Sequence, residues 1–231
     1  MNGRISSFQS MGAVDGPGLR CAVFMQGCPL RCAYCHNPET WESRGGDEVA
    51  AETLVQKILR YKNYIQKTGG VTLSGGEPLL QWQFAAELLG RLKKNGIHTA
   101  LDTSGIGDTA GAQEVLKFTD LVLCDIKFTD EADFKNYCGG ELSQVYDFLR
   151  MTNSMNIPLW IRQVIVPGIN DTAESVKRLK ERAALYRPEK VQLLPFRKLC
   201  EAKYESLGIG FRLKNVPECG NETIETLSKL L

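Results

Sequence analysis

The sequence predicts an α/β fold built on a mostly parallel sheet, and three features predict it. Apolar runs of strand length alternate with longer segments of helical period. Polar, glycine-bearing motifs fall where those apolar runs end. No low-complexity linker or shift in composition divides the chain, so one domain over residues 1–231, with a sizeable apolar core, is expected.

The expected strands are LRCAVFMQ (19–26), GVTLS (70–74), IHTALD (97–102), LVLCDI (121–126), PLWIRQVIV (158–166) and KVQLLPF (190–196). Between them AETLVQKILRYKNYIQ, LQWQFAAELLGRLKKNG, TAGAQEVLKFTD, SQVYDFLRMTNSMN and TAESVKRLKERAALYR carry helical periodicity. Asn95-Gly96 closes one helix, and Asn170-Asp171-Thr172 offers a cap for another. A β-α-β-α rhythm buries a parallel sheet under helices through right-handed crossovers. Six such strands make either an open doubly wound sheet or part of a (β/α) barrel.

With 28 basic and 27 acidic residues, the net charge of +1 gives no broad electrostatic basis for binding nucleic acid or an anionic membrane. The N-terminal MNGRISSFQSMG lacks a continuous apolar run, and no stretch approaches the roughly 20 apolar residues of a membrane span. A cytoplasmic location follows as an expectation. In that compartment the eight cysteines read as metal-binding, catalytic or buried thiols rather than disulfides.

The polar motifs share one position in the β/α unit. A cysteine loop follows the first expected strand, Ser74-Gly75-Gly76-Glu77 the second and Asp102-Thr103-Ser104-Gly105 the third. Asp125 and Lys127 end the fourth, Arg162 lies in the fifth, and Pro195-Phe196-Arg197 ends the sixth. The C-terminal ends of parallel strands form the active mouth of such folds, so these motifs are expected to converge.

The loop GCPLRCAYCHNPET (27–40) admits several chemistries. Cys32-Ala33-Tyr34-Cys35-His36 spells the c-type haem signature, and Cys32 and Cys35 also fit a thioredoxin-like pair or half a zinc site. Haem and dithiol chemistry both leave Cys28 idle, while structural zinc needs a fourth ligand. Three thiolates on one short loop suit three irons of a [4Fe–4S] cube, with the fourth iron open to a ligand.

Cys28-x3-Cys32-x2-Cys35, with Tyr34 before the last cysteine, resembles the radical S-adenosylmethionine superfamily, as does Gly75-Gly76-Glu77-Pro78. Within it, VDGPGLR (14–20), CHNPETW (35–41), TLSGGEPLLQ (72–81), HTALDTSG (98–105), CDIK (124–127), WIRQVIVPG (160–168) and KYESLG (203–208) are similar in order and spacing to the glycyl-radical-enzyme activases of the formate-lyase type. The resemblance covers nearly the whole chain. It implies a partial (β/α)6 TIM-like barrel, the radical SAM fold. It also implies reductive cleavage of S-adenosylmethionine at a [4Fe–4S] cluster on Cys28, Cys32 and Cys35, and abstraction of a glycine Cα hydrogen by the 5′-deoxyadenosyl radical.

By the same resemblance Gly75, Gly76 and Glu77 meet the methionine end of the cofactor, and Tyr34, Cys35 and His36 lie near its adenine. Asp125, Ile126, Lys127 and Arg162 contact the cofactor, Lys127 counting with the cysteines as catalytic. Asp102, which also contacts the cofactor, and Thr103 with Asp125 are implied to hold Na+ or K+. Asp15 belongs to the substrate side, and Val164 supplies an apolar contact. The implied partners are a glycyl radical enzyme and a flavodoxin or ferredoxin as electron donor, with the chain a monomer.

Arg197 stands where the family carries a cofactor-contacting histidine, and Cys200 where glycine is usual. Cys21 and Cys124 lie in apolar strands and are expected in the core, and a single cluster is expected. His98 is expected to be a core or hydrogen-bonded residue. Alternative functions are a radical enzyme for a small molecule, an activase of anaerobic ribonucleotide reductase and, from another class, a zinc- or redox-binding module.

Overall fold

The structure is a computed structural model that describes residues 1–231. Its strands are β1 Asn2–Gly12, β2 Arg20–Met25, β3 Asp47–Ala50, β4 Gly70–Gly75, β5 Thr99–Thr103, β6 Leu121–Asp125, β7 Leu159–Ile165 and β8 Lys190–Pro195. The helices are α1 Ala51–Leu59, α2 Lys62–Ile65, α3 Trp82–Lys94, α4 Thr109–Leu116, α5 Glu131–Cys138, α6 Leu142–Ser154, α7 Ala173–Ala184, α8 Glu201–Ser206 and α9 Asn221–Ser228. All strands join one sheet in the order β3-β1-β2-β4-β5-β6-β7-β8.

From β2 through β4 to β8 every neighbouring pair is parallel, and these six strands are the six expected ones. The sheet ends at β3 and β8 without joining them, so the barrel is partial. β1 and β3, which lie antiparallel at one edge, were not expected. Their sequences explain why: β1 interleaves Gly3 and Ile5 with serine, glutamine and arginine, and only Gly3, Ile5 and Gly12 of it are buried. A strand that buries so little carries a weak period-two signal.

The helical segments behave similarly. The one expected after residue 50 breaks at Arg60-Tyr61 into α1 and α2. α5, α8 and α9, each of eight residues or fewer, were not expected. α5 owes its start to Asp130, whose Oδ1 accepts from the amides of Ala132 at 2.9 Å and Asp133 at 3.1 Å, and its end to Gly139 at φ 80°.

Fifty buried residues form one core, Cys21 and Cys124 among them at 0 % exposure. Ala100, Leu121 and Leu123, with Trp160 against them, form a separate cluster. In a strand, residues two apart share a face, so this cluster lies on the side of the sheet that carries Asp102 and Asp125. It floors the barrel. No helix is long and apolar enough to cross a membrane.

A buried arginine ties the loop before β2 to the sheet. Arg20, at 0 % exposure, donates from Nε to Thr72 Oγ1 at 2.7 Å, from Nη2 to the Val71 carbonyl at 2.7 Å and from Nη1 to the Pro17 carbonyl at 3.2 Å. The Thr72 hydroxyl in turn donates to the Asp15 carbonyl at 2.6 Å. His98 meets the same guanidinium through Nδ1 at 3.3 Å, so it is an exposed, hydrogen-bonded residue just ahead of β5 rather than part of the core. Gly18, at φ 69°, has no space for a Cβ against the Thr68 carbonyl. Replacing Arg20 by Leu strips buried acceptors of their donors, and a loss of about 2–4 kcal/mol in denaturant unfolding is expected.

Candidate active site

The motifs at the strand ends meet in one cavity of about 320 Å³. Cys28, Cys32 and Cys35 line one side, with Tyr34, His36 and Asn37. Gly75, Gly76, Asp102, Thr103, Asp125, Lys127 and Arg162 line the other, with Asp15 and Val164. Convergence was therefore legible from chain position alone.

The cysteine loop is held from two directions. On the β4 side, Gly76 N–H donates to the Met25 carbonyl at 2.9 Å and Glu77 N–H to the Gly27 carbonyl at 2.8 Å. A Cβ on Gly76 would strike the Gly27 carbonyl, and one on Gly75, at φ 100°, would strike the backbone of Phe24 and Met25. The diglycine thus permits close backbone contact between two loops. On the α5 side, Arg31 N–H donates to the Cys138 carbonyl at 2.8 Å and Ala33 N–H to the Tyr137 carbonyl at 2.7 Å.

The side chain of Glu77 is bonded within the protein. Its carboxylate is fully buried and turned from the cavity, accepting from Thr103 Oγ1 at 2.6 Å, the Ser104 amide at 2.8 Å, Ser104 Oγ at 2.5 Å and the Leu79 amide at 3.1 Å. Burial raises its pKa, and the hydroxyl donors only partly offset that. Glu77 is a strut between the β4 and β5 ends. Thr103 Oγ1 donates to Glu77 and accepts from the Gly105 amide at 2.9 Å, and Thr103 lines the cavity with Asp102 and Asp125. Ile126, like Glu77, is fully buried and absent from the cavity wall.

Four charges form the opposite wall. β6 and β7 pair with Asp125 beside Arg162, and Arg162 Nε donates to Asp125 Oδ1 at 2.8 Å. Arg162 Nη2 donates to Asp102 Oδ1, Ser74 Oγ to Asp102 Oδ2 at 2.9 Å, and Lys127 Nζ to Asp125 Oδ2 at 3.1 Å. Burial presses every member toward neutrality, but Arg162 and Lys127 outweigh it at Asp125 and hold that carboxyl below its usual range. At Asp102 burial wins over Arg162 and the pKa rises. Ser74 belongs to a motif expected at the site, but its own role, a donor to Asp102, was not read from the sequence.

Three further placements matter. His36 Nε2 donates to the Arg197 carbonyl at 2.9 Å, leaving the ring on the cavity rim. The Arg197 guanidinium points elsewhere, Nη1 to the Cys219 carbonyl and Nη2 to Asn221 Oδ1 at 2.7 Å, so it does not take the histidine's place in the cavity. Asp15 Oδ2 and Tyr34 Oη are buried without a partner. Unmatched polar atoms facing a cavity are what a bound polar ligand satisfies.

The donor set fits an iron–sulfur cube. Burial pushes the Cys28 thiol up to about 12 and the Cys35 thiol up to about 11, whereas the neighbouring Cys138 thiol brings Cys32 down to about 7. Such unequal thiols become thiolates together when a metal claims them. No three His, Cys, Asp or Glu side chains surround a single ion position, which a closed zinc site requires.

Residues 14–145 match the family model described as a 4Fe-4S single cluster domain. The chain is 46 % identical over 231 residues to the pyruvate formate-lyase-activating enzyme of Clostridium pasteurianum, covering 99 % of this chain and 97 % of that one. This chain belongs to the pyruvate formate-lyase-activating enzymes.

Among solved structures, a domain of such an enzyme from Bacteroides vulgatus superposes with a TM-score of 0.58 at 27 % identity, covering 71 % of this chain and 92 % of that one. A radical SAM methyltransferase from Sphaerobacter thermophilus shares the fold, with a TM-score of 0.66 at 14 % identity over 92 % of this chain and 63 % of that one. The partial barrel is thus the radical SAM fold. The matched family model makes a [4Fe–4S] cluster the cofactor of this domain.

Two variants test the site as built. Glu77→Gln turns an amide N–H2 toward at least one existing donor, and a loss of about 1–3 kcal/mol in chemical denaturation is expected. Arg162→Met leaves Asp102 and Asp125 facing each other without their shared cation; a loss of about 3–5 kcal/mol is expected by the same measurement.

Proposed function

We propose that this protein activates a glycyl radical enzyme of the formate-lyase type, residues 1–231 acting as one unit. The reading is carried by the opposition, across one cavity, of three loop thiols and a wall of fixed charges in a chain of this family. Cys28, Cys32 and Cys35 supply three thiolates, the donor set of a cube with one iron left for S-adenosylmethionine. When bound, these cofactors supply one-electron cleavage of the sulfonium and the carbon radical that takes hydrogen from a glycine Cα.

The remaining residues orient and exclude. The N–H groups of Gly76 and Glu77 are already bonded to the end of β2 and the start of the cysteine loop, so this turn meets the cofactor's ammonium with acceptor carbonyls. Two guanidinium nitrogens of Arg162 are fixed on Asp102 and Asp125, and the third is left for an anionic or hydroxyl group. Lys127, immobilised by Asp125, adds positive charge to that wall. Tyr34 and His36 frame the nucleoside end, and Val164 and Phe24 keep water from the reacting carbon.

Asp15, in the loop pinned by Arg20 and Thr72, receives the substrate backbone; its unpartnered Oδ2 supports that role. The electron arrives from a flavodoxin or ferredoxin. Arg31, its side chain 48 % exposed, donates from Nη1 to the Cys28 carbonyl at 2.7 Å and pairs through Nη2 with Glu42 at 3.6 Å on the outside of the cluster loop. The protein works as a cytoplasmic monomer that docks transiently.

After reconstitution without oxygen, the wild-type chain is expected to hold about four irons. Cys28→Ala, Cys32→Ala and Cys35→Ala are each expected to abolish reductive cleavage of S-adenosylmethionine, followed by chromatography of the nucleoside product. Mixing the reduced wild type with a formate-lyase-type partner is expected to yield a glycyl radical doublet by electron paramagnetic resonance. Zinc in place of iron, or cleavage that survives in all three variants, would overturn the assignment.

A further inference from the structure

Thr72 is fully buried in β4 and takes no part in the cavity wall, yet its hydroxyl joins the sheet to the loop that carries Asp15. Arg20 pairs with Gly70 across β2 and β4, so Thr72 stands two residues along the same face of the sheet. Arg20 Nε donates to Thr72 Oγ1 at 2.7 Å, and that oxygen lies 2.6 Å from the Asp15 carbonyl. A guanidinium offers no acceptor and a carbonyl no proton, so the direction of this relay is forced. The single hydroxyl proton of Thr72 goes to Asp15.

The surrounding loop leaves Asp15 little freedom. Arg20 Nη1 donates to the Pro17 carbonyl at 3.2 Å, which holds the chain on the far side of Asp15 as well. A Cβ at Gly12 would stand 2.7 Å from Asp15 Oδ2, so the carboxylate occupies space that only glycine leaves open. That oxygen is buried without a partner, and Asp15 lines the cavity. Thr72 and Ser74 share a face of β4, and Ser74 Oγ donates to Asp102 Oδ2 at 2.9 Å. One strand face therefore supplies a donor to the charged wall and a donor to the Asp15 loop.

We propose that Thr72 is a positioning residue for the macromolecular substrate: its hydroxyl, aimed by Arg20, fixes the backbone at Asp15 and so sets the carboxylate on which the partner's glycine segment docks. The role rests on the reading of Asp15 as the residue that receives the substrate backbone. A carboxylate only accepts, so the docked segment presents a backbone N–H to it. Thr72 touches neither the thiols nor the cavity, and its loss weakens capture of that segment while sparing cleavage of S-adenosylmethionine in the partner's absence.

Thr72→Val keeps the shape and removes the hydroxyl, whereas Thr72→Ser keeps the hydroxyl. Glycyl radical formation is followed by electron paramagnetic resonance against the concentration of a pyruvate formate-lyase, beside cleavage of S-adenosylmethionine without it. The valine variant is expected to raise KM for the partner about tenfold, with kcat and partner-free cleavage at the wild-type level. The serine variant is expected to keep the wild-type KM. Asp15→Ala is expected to raise KM too, and adding Thr72→Val to it is expected to raise KM no further, because both changes act through one group.

An unchanged KM in the valine variant, with KM raised in Asp15→Ala, would overturn the role of Thr72 and leave the reading of Asp15 intact. An unchanged KM in Asp15→Ala would refute that reading itself. Loss of partner-free cleavage in the valine variant, a serine variant as weak as valine, or additive effects in the double variant would each reduce Thr72 to a structural support and overturn the inference. If the valine variant does not fold, Thr72→Ala carries the same expectation; failure of both to fold counts against it.

Discussion

The constraint on which the site depends is the contact between two backbones, at Gly27 and Gly76. The carbonyl of Gly27 accepts from Glu77 N–H at 2.8 Å, in space that any Cβ on Gly76 would fill. This joins the cysteine loop to the end of β4. The Glu77 side chain then carries the constraint to β5 through Thr103 and Ser104. One three-residue motif thereby sets how far the thiols stand from the charged wall.

That wall obeys a different balance. Moving carboxylates and cations out of water is costly, and a pair repays the cost only with good geometry and additional hydrogen bonds. Arg162 meets the condition by bridging aspartates from two strands, with Ser74 and Lys127 completing the shell. The parallel register puts Asp125 beside Arg162 before any side chain chooses a rotamer. Preset charge of this kind needs little rearrangement when a zwitterionic ligand arrives.

The parallel strands, the convergence of motifs and the cysteine set were legible because each leaves a strong local mark: apolar runs, diglycine turns, paired thiol spacings. Other features leave none. β1 buries a few small or apolar residues among polar ones, and α5 is stabilised by caps and tertiary contacts rather than by an apolar stripe. The path of the Glu77 carboxylate into Thr103 and Ser104 joins residues 26 and 27 positions apart, and no spacing in the sequence reports such a contact. The same limit hid Tyr137 and Cys138, which touch the cysteine loop across more than a hundred residues.

Arg197 shows how a charged side chain just past β8 can be kept out of the cavity. An always-charged guanidinium is a poor replacement for imidazole against a nucleoside. In this chain it leaves the cavity and clamps the segment before α9 through the Cys219 carbonyl and Asn221. Its own carbonyl is then held where His36 Nε2 can donate to it. The Arg197 side chain thus stays out of the cavity, and the backbone at that position orients a histidine of the cysteine loop. The substitution and the fixed C-terminal segment form one arrangement, because the clamp that removes Arg197 from the cavity also fixes the carbonyl that His36 requires.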